Sequence, residues 1–227
     1  MSGAVAHLVC DCDGVLLDSE AAAQRALQIQ LAARLPPGVD AAAVIQPRLG
    51  MTLEALLADI AGQHPLPLTP DEIARIRRAV DAEVASRLRA VPGVAAALRA
   101  IPLPKAVASN SAGARVRAAL RRTGLWPLFQ GRVHCADEVG AAKPAPDVYL
   151  AACRSLRAAP DHCLALEDSV TGVTAARAAG LRVLGFAGAG HIAAGHAERL
   201  LAAGAGQVFD DMRRLPELVR RLQARPF

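Results

Sequence analysis

Short apolar runs alternate along most of the chain with segments in which apolar residues recur at helical spacing. The first run, Ala4–Cys10, ends at an aspartate, and further runs follow beyond residue 100. Continuous apolar runs of this length are typical of strands that are buried on both faces, as in a parallel sheet. The later predicted strands are Lys105–Ala108, Arg132–Cys135, Cys163–Leu166, Arg182–Phe186 and Gln207–Phe209.

Helical periodicity occupies the segments between these strands. Strands that alternate with helices in this way form a parallel sheet joined by right-handed crossovers, so the pattern predicts an α/β fold. The predicted helices are Gly93–Ala100, Gly113–Arg122, Pro146–Leu156, Thr171–Ala179, Ile192–Ala203 and Met212–Gln223.

Residues 19–90 break the alternation, because no convincing strand lies among them. Their apolar positions recur at helical spacing, and Thr69–Glu72 (Thr-Pro-Asp-Glu) is a typical helix start, with a capping hydroxyl and a proline in the first turn. The pattern predicts a helical insert over residues 19–90, within an α/β core formed by residues 1–18 and 91–227.

Composition and charge exclude several classes of protein. The formal net charge is +5, but the basic residues are scattered over the predicted helices, and aromatic residues make up only 3% of the chain. A protein that binds nucleic acid usually shows a basic run, a known reader motif or a stacking surface, so we expect no nucleic-acid partner. The longest uncharged stretch, Val183–Ala197, is too short to span a bilayer, so we expect no membrane partner.

The five cysteines lack the paired spacing of a zinc site or a disulfide framework. Buried, reduced thiols are the simpler interpretation, and they are typical of a cytoplasmic protein. The sequence carries no sign of an oligomer, so a monomer is the default expectation.

Acidic, hydroxyl and lysine side chains follow the ends of several predicted strands. In open α/β sheets, sites form outside the carboxyl ends of the strands, so residues that are far apart in sequence converge there. Adjacent carboxylates suit a hard divalent cation, and a hydroxyl with backbone N–H groups before a helix suits a phosphate. The candidate site residues are Asp11, Asp13, Ser109, Asn110, Lys143, Glu167 and Asp168.

The segment Asp11–Glu20, which reads Asp-Cys-Asp-Gly-Val-Leu-Leu-Asp-Ser-Glu, resembles the first motif of the haloacid dehalogenase-like hydrolases. Ser109-Asn110-Ser111, Lys143-Pro144 and Glu167-Asp168 resemble the other three motifs of that family, in the right order. The resemblance covers essentially the whole chain. It implies a Rossmann-like parallel-sheet core and identifies the insert over residues 19–90 with the family's helical cap.

The resemblance also implies a role for each site residue. Asp11 would attack phosphorus to give an aspartyl-phosphate, and Asp13 would act first as general acid and then as general base. Ser109 and Asn110 would hold the phosphoryl oxygens, while Lys143 would offset negative charge.

A magnesium ion is implied at the same place. Its ligands would be Asp11, the main-chain carbonyl of Asp13 and Asp168, with Glu167 as a further candidate. Without a cation, several carboxylates would repel a phosphate dianion.

Among the reactions of this family, the site residues favour phosphoryl transfer over dehalogenation and over phosphonate hydrolysis. Asp13 has no acid/base task in a dehalogenase, and the Schiff-base chemistry of phosphonatases needs a cap lysine, which residues 19–90 lack. The chain most resembles the 6-phosphogluconate phosphatase-like members. This implies a Mg²⁺-dependent phosphatase for a small phosphorylated sugar or sugar acid.

A β-phosphoglucomutase-type mutase is the alternative, since its first motif and helical cap are of the same kind. Its cap carries a histidine at the position that Ala23 occupies here, and an arginine at the position of Leu53, after Gly50-Met51-Thr52. Arg48 is a nearby candidate to replace that arginine. Two missing cap groups make the plain phosphatase the preferred interpretation.

Overall fold

The structure is a computed structural model that describes residues 4–48, 53–66, 68–188 and 195–224. The chain forms two compact units. One contains Met1–Asp18 together with Arg89–Phe227, and the other is Ser19–Leu88. No described helix is long and apolar enough to cross a membrane.

Eight strands are described, all of them in the discontinuous unit. They are β1 (His7–Cys10), β2 (Leu17–Asp18), β3 (Arg89–Ala90), β4 (Lys105–Ser109), β5 (Val133–Cys135), β6 (Cys163–Glu167), β7 (Arg182–Phe186) and β8 (Gln207–Phe209). Six of them form a parallel sheet in the order β5-β4-β1-β6-β7-β8. The predicted α/β class is confirmed. Every predicted strand is present, and the observed strand ends differ from the predicted ends by at most three residues.

The sheet is apolar on both faces because helices cover both. Strands β4, β6 and β7 are buried along their whole length. Val9, Ala106 and Ala165 from adjacent strands share one core cluster with Val173 and Tyr149 from helices. Burial on both faces explains why these strands appear in the sequence as continuous apolar runs rather than alternating ones.

The insert is helical, as predicted. Its helices are α1 (Glu20–Ala32), α2 (Ala41–Ile45), α3 (Leu53–Gln63) and α4 (Pro70–Arg87). The hydroxyl of Thr69 accepts a hydrogen bond from the backbone N–H of Glu72, which confirms the predicted start of α4. The unit has its own apolar core, to which Leu31, Leu57 and Ile76 contribute fully buried side chains.

Seven further helices are described in the discontinuous unit. They are α5 (Val94–Ala100), α6 (Gly113–Arg122), α7 (Ala136–Val139), α8 (Asp147–Leu156), α9 (Val170–Ala178), α10 (His196–Ala202) and α11 (Leu215–Ala224). The predicted helix Ile192–Ala203 corresponds to α10, and residues 192–194 lie outside the described part of the chain. So does the segment Gly50-Met51-Thr52.

The expectation that residues 19–90 contain no strand was wrong at their C-terminal end. Strand β3 pairs antiparallel with β2, with Leu17 opposite Ala90 and Asp18 opposite Arg89. Two residues are too few to leave a periodic pattern in the sequence, and the pairing joins segments that lie far apart along the chain. Arg89 and Ala90 therefore belong to the discontinuous unit.

Candidate active site

Three adjacent strands place most of the predicted site residues at one edge of the sheet. Asp11 follows β1 directly, and its backbone N–H donates to Leu166 O at 2.9 Å, so the ladder between β1 and β6 continues to the site. Ser109 is the last residue of β4, and Glu167 is the last residue of β6. The chain adds β4 and β5 on one side of β1 and then adds β6, β7 and β8 on the other side. The place where the direction of strand addition reverses is a topological switch point, where α/β sheets bind ligands.

Lys143 joins two of the carboxylates. Its ammonium nitrogen Nζ lies 2.5 Å from Asp11 Oδ1 and 2.6 Å from Glu167 Oε1, and all three side chains are buried. Burial opposes charge on Lys143, but the two carboxylates outweigh it and hold the pKa of the lysine above its ordinary value. Lys143 is therefore a fixed positive charge against Asp11.

Asp11 is the carboxyl group whose ionisation the site perturbs. Burial raises the pKa of Asp11 to about 7, Lys143 opposes this rise, and the charge of Glu167 adds to it. A carboxyl with a pKa this high exchanges its proton near neutrality, which is typical of functional sites.

Glu167 is held in place by donors on both of its oxygens. Oε1 accepts from Lys143 and, at 2.5 Å, from the hydroxyl of Tyr149. Oε2 accepts from the backbone N–H of Asp168 at 3.1 Å and from the N–H and hydroxyl of Ser169. A buried carboxylate requires this kind of compensation.

Sequence reasoning missed Tyr149. It is the only tyrosine of the chain, it is fully buried in α8, and its ring lies 4.9 Å from Lys143 Nζ. A buried tyrosine hydroxyl normally finds a partner, so a lone tyrosine shortly after the lysine motif was a usable signal.

Two glycines make room for the acidic residues. A Cβ on Gly14 would overlap with the Asp168 carboxylate, and a Cβ on Gly172 would overlap with the Glu167 carboxylate. Gly14 also has a φ of 82°, in the left-handed region that side chains rarely adopt.

The acidic residues fit a divalent cation. Asp11, Glu167 and Asp168 each offer a carboxylate oxygen, and these oxygens all lie within 4.8 Å of one another. Hard cations such as Mg²⁺ prefer oxygen ligands of this kind. A second group, Cys135, Asp137 and Glu138, has similar spacing, but Asp137 accepts from Gly113 N and Glu138 pairs with Arg117.

The side chain of Asp13 takes part in a different set of contacts. Its Oδ2 accepts from the hydroxyl of Ser111 at 2.7 Å, and its Oδ1 accepts from Arg115 NH2 at 3.1 Å. Neither Ser111 nor Arg115 was singled out from the sequence as a functional side chain. Arg115 resembled the other scattered arginines, and only the fold brings it to Asp13.

The Ser109-Asn110 segment lies beside the lysine motif. The Asn110 amide bonds the main chain of Lys143 in both directions, since its Oδ1 accepts from Lys143 N at 2.7 Å and its Nδ2 donates to Lys143 O at 3.2 Å. The Ser109 hydroxyl is buried and accepts from Ser111 N at 3.1 Å. Asn110 therefore fixes the position of the lysine, a task that the motif alone does not reveal.

His196 also reaches the site, at the start of α10. Its Nε2 lies 2.6 Å from the main-chain oxygen of Asp168. This contact gives His196 a structural role, because it holds the backbone that carries the Asp168 carboxylate.

Arg48 is engaged within the insert. Its Nε donates to Asp59 Oδ2 at 2.6 Å, its NH1 donates to Val44 O at 2.6 Å, and the residue is buried. The guanidinium group thus serves the internal packing of the helical unit.

Several proteins of known sequence resemble this chain. YhcW, a predicted phosphatase from Bacillus subtilis (strain 168), is 34% identical over 181 residues, which are 77% of this chain and 80% of that protein. The 6-phosphogluconate phosphatase of Escherichia coli (strain K12) is 26% identical over 177 residues, with 78% and 80% of the two chains covered. The chain also matches 37% of a bifunctional riboflavin kinase/FMN phosphatase from Arabidopsis thaliana, at 30% identity.

A solved structure and a family model cover most of the chain. The crystal structure of a HAD family hydrolase from Deinococcus radiodurans R1, with bound phosphate and sodium, has a TM-score of 0.85 and 30% identity, and 97% of each chain is covered. The model of the haloacid dehalogenase-like hydrolases matches residues 5–180. Taken with the four motifs at one edge of the parallel sheet, these matches show that the chain belongs to the haloacid dehalogenase-like hydrolase family and is a phosphatase within it.

Proposed function

We propose that the protein is a Mg²⁺-dependent phosphatase that hydrolyses a small phosphorylated sugar or sugar acid through an aspartyl-phosphate. The observation that carries the proposal is the buried contact of Lys143 with Asp11, beside the carboxylates of Glu167 and Asp168. This arrangement offers an anionic nucleophile, a fixed positive charge and oxygen ligands for a cation within one small region.

In the first step, the Asp11 carboxylate attacks phosphorus, and the bond from phosphorus to the ester oxygen breaks. Asp13 gives a proton to the departing alkoxide, which leaves as an alcohol. Lys143 stabilises negative charge on Asp11 and on the transferring group, because it is buried and its charge is poorly screened.

In the second step, a water molecule attacks the phosphorus of the aspartyl-phosphate. Asp13, now ionised, takes the proton of that water, and the bond from phosphorus to Asp11 breaks to release phosphate. Ser109 holds a phosphoryl oxygen through its hydroxyl. The side-chain amide of Asn110 is already hydrogen-bonded to the main chain of Lys143. Asn110 therefore binds the phosphoryl group through its main-chain N–H.

The residues that would hold Mg²⁺ are Asp11, Asp168 and the main-chain carbonyl of Asp13. Glu167 is the further candidate, although both of its oxygens already accept from protein donors. When bound, the cation supplies charge neutralisation between the carboxylates and the phosphate dianion.

The substrate class is the finer part of the proposal. It is supported by the resemblance to 6-phosphogluconate phosphatase-like members and by the relative of that name in E. coli. The name of the riboflavin kinase/FMN phosphatase relative indicates a different phosphate ester, FMN. The panel of test substrates must therefore be broad. We assign substrate selection to the helical insert, which the resemblance identifies as a cap. We keep the monomer as the expected oligomeric state.

The thiols support the cytoplasmic location that the sequence predicts. All five cysteines are free and buried. Unpaired thiols of this number are usual in a reducing compartment, which supports a cytoplasmic enzyme.

The test is phosphate release from a panel of phosphorylated sugars, sugar acids and nucleosides, with Mg²⁺ or with EDTA. We expect Mg²⁺-dependent release that is highest on a sugar acid phosphate, and a loss of at least about a thousandfold in kcat for Asp11→Asn with the fold intact. Asp81→Asn, at an exposed position of α4, is the matched control and should keep full activity.

Two results would contradict the proposal. Activity that survives in Asp11→Asn or in EDTA would exclude the aspartyl-phosphate route or the metal. Conversion of β-glucose 1-phosphate to glucose 6-phosphate, without free phosphate, would establish the mutase instead, and would mean that the groups absent at Ala23 and Leu53 are dispensable.

A further inference from the structure

The carboxylate of Asp13 is the acceptor of a closed hydrogen-bond network. Arg115 NH2 donates to Oδ1 at 3.1 Å, Arg115 NH1 approaches Oδ2 at 3.4 Å, and the Ser111 hydroxyl donates to Oδ2 at 2.7 Å. Arg115 NH1 also donates to Ser111 Oγ at 2.6 Å. Both oxygens of Asp13 are thus held by two side chains that lie about a hundred residues further along the chain.

This geometry fixes the orientation of the carboxylate. An arginine fork across both oxygens sets the plane of a carboxylate, which a lysine ammonium cannot do. The serine hydroxyl then distinguishes one oxygen from the other. A free aspartate on the loop after β1 would rotate about two side-chain bonds, and a misplacement of about 1 Å in a reacting group lowers rates by roughly a hundredfold.

A contribution to stability alone does not account for the pair. The Arg115 side chain is 50% exposed and that of Asp13 is 27% exposed, and ion pairs with this exposure stabilise a fold only weakly. Arg115 also lies in the first turn of α6, where a positive charge opposes the helix dipole. Its position is unfavourable for the helix itself and is explained by the contact with Asp13.

We propose that Arg115 and Ser111 are positioning residues that orient the Asp13 carboxyl group, which gives its proton to the leaving group in the first step and takes a proton from water in the second. The inference rests on the proposed function, in which Asp13 is the acid and base. Neither residue needs to touch the substrate for this role.

The test compares two substrates that differ in their need for an acid. A sugar phosphate loses an alkoxide, which must be protonated, whereas p-nitrophenyl phosphate loses a stable phenolate and needs little assistance. The parameter kcat/KM covers the steps up to the first bond cleavage, so it reports proton transfer to the leaving group. The sugar phosphate used is the best substrate of the panel.

For Arg115→Ala we expect kcat/KM to fall at least about tenfold on the sugar phosphate and to change less than about twofold on p-nitrophenyl phosphate. Ser111→Ala should show a smaller change in the same direction. Arg115→Lys keeps the charge without the fork and should restore only part of the loss. Arg121→Ala, on the same helix and stacked on Trp126, is the control and should match the wild-type enzyme.

A double-mutant cycle identifies the group through which Arg115 acts. In an Asp13→Asn background, Arg115→Ala should have no further effect on kcat/KM, because the residue it orients is gone. Thermal unfolding of each variant checks that the fold is retained.

Three results would overturn the inference. They are an equal fall on both substrates, no fall on either, and a loss that persists in the Asp13→Asn background. A wild-type enzyme with Asp11-dependent activity but no selective effect of Arg115→Ala would reject this inference alone. Activity that does not depend on Asp11 would reject the proposed function, and the positioning role with it.

Discussion

At the scale of single residues, the site is dominated by carboxylates that are held close together in a buried region. Lys143 is the one cation in direct contact with Asp11 among the described residues, and Glu167 holds that lysine from the other side. Burial favours the protonated form of a carboxyl, and it prevails at Asp11 even though Lys143 opposes it. A proton and a cation therefore compete for the Asp11 carboxylate.

This balance predicts how metal binding depends on pH. Mg²⁺ must displace the proton from Asp11, so apparent affinity should fall as pH falls below about 7, by roughly tenfold per pH unit. Affinity should level off above that value, where Asp11 is already ionised. Isothermal titration calorimetry with Mg²⁺ between pH 5.5 and 8.5 would measure this change.

Proton release provides the control for this prediction. Titrations at pH 6.5 in buffers of different ionisation enthalpy should report a proton released on Mg²⁺ binding, and Asp11→Asn should abolish the release. An affinity that is constant across the pH range would mean that another group controls the metal site.

At the scale of elements, the start of α9 shows how a helix is fitted around a buried acid. Ser169 caps the helix by accepting from Gly172 N at 3.0 Å, and it also donates to Glu167. Gly172 lies in the first turn, where alanine has the higher helix propensity. Glycine is required there because the Glu167 carboxylate occupies the space of its Cβ.

Two glycine-to-alanine substitutions separate the effect of helix propensity on stability from the effect of a Cβ that overlaps with the Glu167 carboxylate. Gly172→Ala should destabilise the protein by about 1–3 kcal/mol and impair activity, because the Cβ displaces Glu167. Gly62→Ala in α3 meets no atom within 4 Å and should stabilise the protein by up to about 1 kcal/mol. Denaturant unfolding and phosphate release measure the two effects, and equal stability changes for both variants would contradict the packing argument.

At the scale of the whole molecule, the chain builds two compact units with separate apolar cores. The sheet unit is interrupted by the insert after Asp18 and resumes at Arg89. Strands β2 and β3 pair where the chain leaves and re-enters this unit. All five cysteines are buried within the sheet unit and are free.

The state of these cysteines gives a prediction for the intact protein. Burial raises the pKa of Cys10 to about 12 and that of Cys135 to about 11, so these two thiols form little thiolate. The hydrogen bond with Cys163 lowers the pKa of Cys153, but that thiol is buried as well. The native protein should react slowly with a thiol reagent such as Ellman's reagent. After unfolding in denaturant without reductant, five thiols should react at once.

The unfolded protein is the internal control for this measurement. Fewer than five reactive thiols after unfolding would indicate a disulfide or an oxidised cysteine. Rapid reaction in the native state would show that at least one thiol is accessible through local opening.

The class of the fold, the order of the elements and the helical nature of the insert were all predictable from the amino-acid sequence. Parallel strands buried on both faces leave continuous apolar runs, and Thr69 and Glu72 mark a helix start through local hydrogen bonds. The acidic motifs were recognisable because they lie at the ends of such runs. Each of these signals depends on residues that are close together along the chain, so it can be detected in the amino-acid sequence.

The pairs of side chains that meet in the site became evident only in the folded chain. The contacts of Tyr149 with Glu167, of Arg115 with Asp13 and of His196 with Asp168 join residues on different elements. They depend on the order of the strands and on the rotation of each helix against the sheet. Hydrophobic periodicity reports which face of an element is buried, but it does not report which distant residue occupies the space beside it. The short pair β2 and β3 escaped prediction for the same reason.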